Sequence, residues 1–196
     1  MKQKVSDYIA EYIAQWGIRD VFTVTGGGAM HMNDAFGHHK MLHCTYQHHE
    51  QACAMAAEAY ARLGNKMAAV CVTTGPGATN AITGVLGAWM DSIPMLVFSG
   101  QARYATTVSA SGLPLRSMGV QECNIVPVVK SLTKYAHMIV HPENIRYHLE
   151  KALYLAQSGR PGPAWLDIPL NVQGAYVDSD ELIGFDPADY EAGGTG

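Results

Sequence analysis

Three turns, two of them glycine-bearing and the other leading to a carboxylate, are the parts of this sequence best equipped for chemistry. The first turn, Thr25-Gly26-Gly27-Gly28, follows a β-branched run and offers bare backbone to a ligand, as phosphate and dinucleotide loops do. The second leads through Gln47-His48-His49 to Glu50, placing a carboxylate at a helix start among Ala52, Cys53, Ala54, Met55 and Ala56. The third, Thr73-Thr74-Gly75-Pro76-Gly77-Ala78-Thr79-Asn80, joins a buried strand to a helix through a proline set between two glycines. It is the most specific of the three.

Residue types alone leave two readings of Glu50 open. It complements the helix dipole, an effect of about 0.3–1 kcal/mol, or it is a partly desolvated acid able to share a proton with a weak base. The glycine turn is likewise either a tight turn or a ligand loop. A dinucleotide fingerprint needs glycine at position 31, where His31 stands, and no GxxxxGK[ST] occurs. His48 and His49 with Cys53 lack a third zinc ligand at a defensible spacing and do not form HExxH, so no metal site is assigned. Cys44, Cys53, Cys71 and Cys123 form no CxxC pair and read as reduced core thiols.

The elements that must hold these turns follow from periodicity. Val5, Tyr8, Ile9, Tyr12, Ile13 and Trp16 recur at helical spacing, with Gly17 as a left-handed stop. Strands are predicted at Val21 to Thr25, Met41 to Tyr46, Met67 to Thr73, Met95 to Ser99, Lys134 to Val140 and Ala164 to Ile168. Helices are predicted at Ala29 to Phe36, Glu50 to Leu63, Ala78 to Met90 and Asn144 to Gln157. Gly100 to Gly119 has no period, a loop length that in compact domains usually serves a site. Apolar strands alternating with helices predict an α/β, doubly wound, mostly parallel sheet of about six strands. Ligands then bind outside the carboxyl ends of the strands, where the three turns lie.

The 196 residues suit one domain, with 48% hydrophobic residues to fill its core. A net charge of -4 gives no basic excess for nucleic acid. No apolar signal segment or bilayer-length apolar run occurs, so the expectation is a cytoplasmic protein without membrane attachment. After Gln173 the regular pattern ends, acidic residues gather from Asp178 to Glu191, and no Lys or Arg follows Arg160. The expected organisation is a domain over residues 1–173 and a linker over 174–196 toward a further domain.

With these pieces assembled, the chain resembles the N-terminal, pyrimidine-binding domain of the thiamine-diphosphate enzymes that include acetolactate synthase, pyruvate oxidase and benzoylformate decarboxylase. The resemblance runs from about residue 4 to 173. It rests on the ordered motifs His49-Glu50-Gln51, Ala57-Glu58-Ala59-Tyr60-Ala61-Arg62, Thr74-Gly75-Pro76-Gly77-Ala78-Thr79-Asn80, Met90-Asp91-Ser92-Ile93-Pro94, Ser99-Gly100-Gln101 and Leu166-Asp167-Ile168-Pro169. It implies that Glu50 is the catalytic glutamate. In the family that residue hydrogen-bonds the aminopyrimidine nitrogen and favours the imino tautomer, which removes the thiazolium proton. It also implies that Thr73, Pro76 and Asn80 lie beside the pyrimidine, that Thr25, Gly26 and Gly27 lie near the thiazolium, and that Gln121 lies near substrate.

The resemblance further implies a 2-oxo acid substrate and a homodimer or homotetramer in the full-length enzyme. Magnesium would be held by a Gly-Asp-Gly motif that this chain does not contain, so the fragment alone is expected to be inactive. FAD is used by some relatives. The runs Val24 to His31 and Gly112 to Arg116 look more like homologues of surface-sugar biosynthesis, which keeps a sugar substrate open. A non-catalytic assembly module of the same fold and a small nucleotide-binding protein also stay open.

Overall fold

The computed structural model describes residues 1–192. In chain order the elements are β1 (Lys2–Lys4), α1 (Val5–Trp16), β2 (Asp20–Thr23), α2 (Met30–His38), β3 (His43–Tyr46), α3 (Glu50–Gly64), β4 (Ala69–Val72), α4 (Pro76–Asn80), α5 (Ile82–Met90) and β5 (Met95–Gln101). Then follow α6 (Val108–Ser111), α7 (Ile125–Val129), β6 (Tyr135–Met138), α8 (Ile145–Gln157), β7 (Pro163–Pro169), α9 (Leu170–Gln173), β8 (Tyr176–Asp178) and α10 (Pro187–Ala192). Short 3₁₀ turns link several of them.

Six strands form one sheet in the order β3-β2-β4-β5-β7-β6, and every pairing in it is parallel. The central strands read as unbroken apolar runs because each is covered on both faces. Along β5, Leu96 and Phe98 enter one core while Met95 and Val97 enter the other. Along β7, Leu166 and Ile168 go one way and Trp165 the other. The first core takes Ile9 and Ile13 of α1, Met32 and Phe36 of α2, and Leu149 and Leu153 of α8. The second takes Ala54 and Ala57 of α3, Val85 and Ala88 of α5, and Ile125 and Val129 of α7. Helices on both faces of a parallel sheet make the fold the doubly wound α/β architecture that the pattern predicts.

Small residues set the spacing of the second layer. A Cβ on Gly84 of α5 would fall 2.5 Å from Ala54 Cβ of α3, so the two helices meet at nearly backbone contact. That approach brings the start of α3, with Glu50, against α4, with Asn80.

Three sequence expectations change. The strand read as Val21 to Thr25 ends at Thr23, where the Thr23 carbonyl accepts from Gln47 N and its hydroxyl donates to the Cys71 carbonyl, closing that end of the ladder. The helix read as Ala78 to Met90 is two helices, α4 and α5; Ala81 N bonds the Ala78 carbonyl at 3.1 Å in a tightened turn between them. Beyond Gln173, where no regular pattern is visible, β8 pairs antiparallel with β1 through Lys2↔Asp178 and Lys4↔Tyr176, and Phe185 packs edge-on against Tyr147. Three-residue strands are too short to display a period. Residues 193–196 of the expected linker lie outside the described residues.

Candidate active site at the strand ends

The chain runs from β2 outward to β3 through α2 on one face, then returns through α3 on the other face to β4, which pairs with the opposite side of β2. The order of the strands therefore reverses between β2 and β4, and a crevice opens outside their carboxyl ends at such a point. The Gly26–Gly28 turn leaves β2 there, and the Thr73–Gly77 turn leaves β4 beside it.

Thr73 joins these turns. Its hydroxyl accepts from Gly28 N at 3.1 Å. A Cβ on Gly26 would fall 2.5 Å from Thr73 Cβ, and one on Gly77 would fall 2.6 Å from Thr73 Cγ2 and 3.3 Å from Glu50 Oε1. These glycines are required by close approach rather than by turn geometry. Gly75 is required by both, since it sits at φ 58° and its absent Cβ would meet the Gln121 carbonyl oxygen at 1.8 Å.

Glu50 opens α3, and the preceding His49 caps that helix by accepting from Gln51 N at Nδ1. The glutamate is 9% exposed. Its Oε2 accepts from Asn80 Nδ2 at 2.9 Å, and Oε1 has no hydrogen bond among the described residues. Cys53, one turn on, is fully buried beneath it, and its thiol is pushed up to about 12, by burial first and by the Glu50 charge second. That thiol stays protonated and packs as a small apolar group.

The structure thus gathers Gly26, Glu50, Thr73 and Asn80 into one cluster, with Pro76 exposed at the first position of α4 above it. Thr25 and Gly27 are exposed on the rim of the same crevice. Gln121 enters from the far side. Its backbone takes a left-handed φ of 55°, rare for a side-chain-bearing residue, and the neighbouring Glu122 carboxylate accepts from Val108 N, Met118 N and Gly119 N. Those backbone donors outweigh burial and hold the Glu122 carboxyl below its ordinary value. Beside Gln121 a cleft of about 310 Å³ is lined by Gly27, Gly28, Thr74 and Gln101.

A larger cleft of about 720 Å³ lies along the outer side of α1 and α2, but none of the strand-end turns lines it. Topology and the convergence of polar groups favour the smaller one.

Matching the sequence to known families identifies residues 3–112 with the thiamine pyrophosphate enzyme N-terminal TPP-binding domain. The chain belongs to that family. It is 36% identical over 174 residues to acetolactate synthase 2 of Zea mays, covering 87% of this chain and 26% of that protein. Acetolactate synthase 2 of Nicotiana tabacum is 34% identical over 181 residues, 91% of this chain and 26% of the relative. Acetolactate synthase of Arabidopsis thaliana is 34% identical over 174 residues, 87% and 24% respectively. The chain is an acetolactate-synthase-like N-terminal domain, and it spans about a quarter of the length of these relatives.

For a TPP-binding domain the donor set is informative about which end of the cofactor it suits. The cluster offers a shielded carboxylate, an amide and bare glycine backbone, and among the described residues no Lys or Arg is bonded to Glu50. That set fits a neutral aminopyrimidine and not a diphosphate.

Two contributors escaped the sequence reading. Gln101 and Asp167 appear there only inside family motifs, yet Gln101 receives the Thr74 hydroxyl at 2.7 Å and donates to the Cys123 carbonyl at 2.8 Å, tying the third turn to the Gln121 segment. A lone Asp in the apolar run Trp165 to Ile168 is the signal that a buried polar partner lies on the next strand. Among the described residues no helix is long and apolar enough to cross a membrane.

Proposed function

We propose that this chain is the part of an acetolactate-synthase-like enzyme, a thiamine-diphosphate-dependent transferase or lyase, that activates the cofactor, with Glu50 as the activating acid. The observation that carries this reading is Glu50 itself: a carboxylate shielded from water, held through one oxygen by Asn80 and, among the described residues, free at the other. Bound thiamine diphosphate supplies an electron sink for making or breaking the bond next to a 2-oxo acid's carbonyl.

Each residue of the chain has a limited task in that scheme. Glu50 Oε1 shares a proton with a pyrimidine ring nitrogen, and burial keeps water from competing for it. Asn80 holds the carboxylate's orientation. Thr73, Gly26, Gly77 and Pro76 shape the floor and walls, while Thr25, Gly27 and Gln121 face the reacting end. The diphosphate and its magnesium need a donor set that this chain does not carry, so a second subunit's further domain completes the site, and the isolated fragment is inactive. The exposed Met55 of α3 with Leu86 and Met90 of α5 offers an apolar surface for such a homodimer or homotetramer.

The test is carboligase turnover of the full-length protein with pyruvate, thiamine diphosphate and magnesium, comparing wild type with Glu50→Gln. Acetolactate formed by wild type and not by the variant supports the reading. Equal turnover by both overturns the role of Glu50, and none from either overturns pyruvate as the substrate.

A further inference from the structure

Most arginines of this fold are committed. Arg19, Arg62, Arg146 and Arg160 each spend their guanidinium on carbonyls, a serine hydroxyl or carboxylates. Arg103 and Arg116 have no hydrogen-bond or ion-pair partner for their guanidinium among the described residues, and of the two it is Arg103 that lines the cleft beside Gln121. The backbone around Arg103 is held by several hydrogen bonds. Ala102 N donates to Gln101 Oε1 at 3.0 Å, Tyr104 N to Asn171 Oδ1 at 2.8 Å, and the Arg103 carbonyl accepts from Thr106 N and Thr106 Oγ1.

The rest of the cleft wall is uncharged. Gly27, Gly28, Thr74, Val120, Gln121 and Leu170 contribute backbone, amide, hydroxyl and apolar surface, which leaves Arg103 as the one formal charge among the described residues lining it. The cleft shares the Gly26–Gly28 turn and the Thr73–Gly75 turn with the Glu50 cluster, so a molecule bound there lies next to whatever Glu50 serves. A volume of about 310 Å³ suits a small molecule.

We propose that Arg103 is the specificity-determining residue of this cleft and binds the carboxylate of the substrate, a small 2-oxo acid; this rests on the reading of the site given above. A planar guanidinium on an anchored backbone can engage a carboxylate through two parallel N–H donors, and an uncommitted cation loses no existing bond on doing so. The neutral wall beside it accommodates the rest of a small acid.

The experiment reads binding rather than turnover. Pyruvate is titrated calorimetrically into full-length holoprotein carrying Glu50→Gln, alone and combined with Arg103→Gln or Arg103→Lys, and the methyl ester of pyruvate is titrated in parallel. The expected result is a Kd for pyruvate at least tenfold weaker with Arg103→Gln, partly restored with Arg103→Lys, and a markedly smaller change for the ester. Equal pyruvate affinity with Arg103 and without it overturns the proposal, as does an equal loss for acid and ester. The two readings remain separable: Arg103-dependent binding in a protein whose wild type forms no acetolactate rejects the carboligase reaction alone, whereas normal turnover with Arg103-independent binding rejects only the role of Arg103.

Discussion

At the start of α3, Glu50 retains 9% exposure and one oxygen without a donor, whereas between β5 and β7 Asp167 is 0% exposed with both oxygens taken. Asp167 Oδ1 accepts from Ser99 Oγ at 2.6 Å, and Oδ2 accepts from Gln101 Nε2 at 3.1 Å. Ser99 Oγ is in turn held by Trp165 Nε1 at 2.8 Å. Burial pushes the Asp167 carboxyl up to about 7, and the Ser99 and Gln101 bonds only partly offset it. A carboxylate with both oxygens engaged ties elements together, while one with an oxygen unspent at the mouth of a crevice is available to a ligand. The same side-chain chemistry serves architecture in one region and stays open to a ligand in the other, and the difference is satisfaction more than burial.

Converting each carboxylate to its amide separates the two roles most sharply. Glu50→Gln in the full-length enzyme should lower turnover by about 100- to 10,000-fold, the range of a lost acid–base group, and shift unfolding free energy by less than about 1 kcal/mol. Asp167→Asn should leave turnover within a few-fold of wild type. Denaturant melts with steady-state kinetics on both variants check this, and reversal of the two outcomes would undo the distinction.

The next largest effect belongs to the contact between the regions. Gly75→Ala forces a side chain into a left-handed φ and against the Gln121 carbonyl, so a loss of about 3 kcal/mol or more is expected from strain and overpacking together. Urea melts of wild type and variant measure it.

Asp167 also makes stability depend on pH. A carboxyl whose folded pKa is raised stabilises fully below its ordinary value, and the contribution is lost as pH rises through about 7. Wild type should lose up to about 1.4 kcal/mol per pH unit between about pH 4 and pH 7, and Asp167→Asn should flatten that slope in melts across the range. The smallest effect is Asn80→Ala, which releases one Glu50 oxygen at an exposed position. A turnover loss of less than about tenfold and almost no change in melting are expected, consistent with a single hydrogen bond.

The sheet and the Glu50 turn were legible because both rest on local signals. Unbroken apolar runs such as Ala69 to Val72 announce strands covered on two faces, and Gly17, at φ 111°, announces a helix stop. The break at Ala81 was not legible, since one alanine in a small-residue helix carries no mark of a tightened turn. Gln101 and Asp167 were hidden for another reason: their meaning arises only when β5 and β7 come into register, with Ser99 opposite Asp167. Gly26 and Gly77 announced a turn, but their contacts with Thr73 depend on β2 and β4 meeting at the reversal of strand order.

The proposed activation of the cofactor by Glu50 is read most directly, and without any substrate, by hydrogen–deuterium exchange at the thiazolium carbon of thiamine diphosphate bound to the full-length protein. Quenched-flow NMR on wild type and Glu50→Gln should show exchange slowed at least about 100-fold in the variant; equal exchange rates in two equally folded, cofactor-loaded proteins would rule out that role for Glu50.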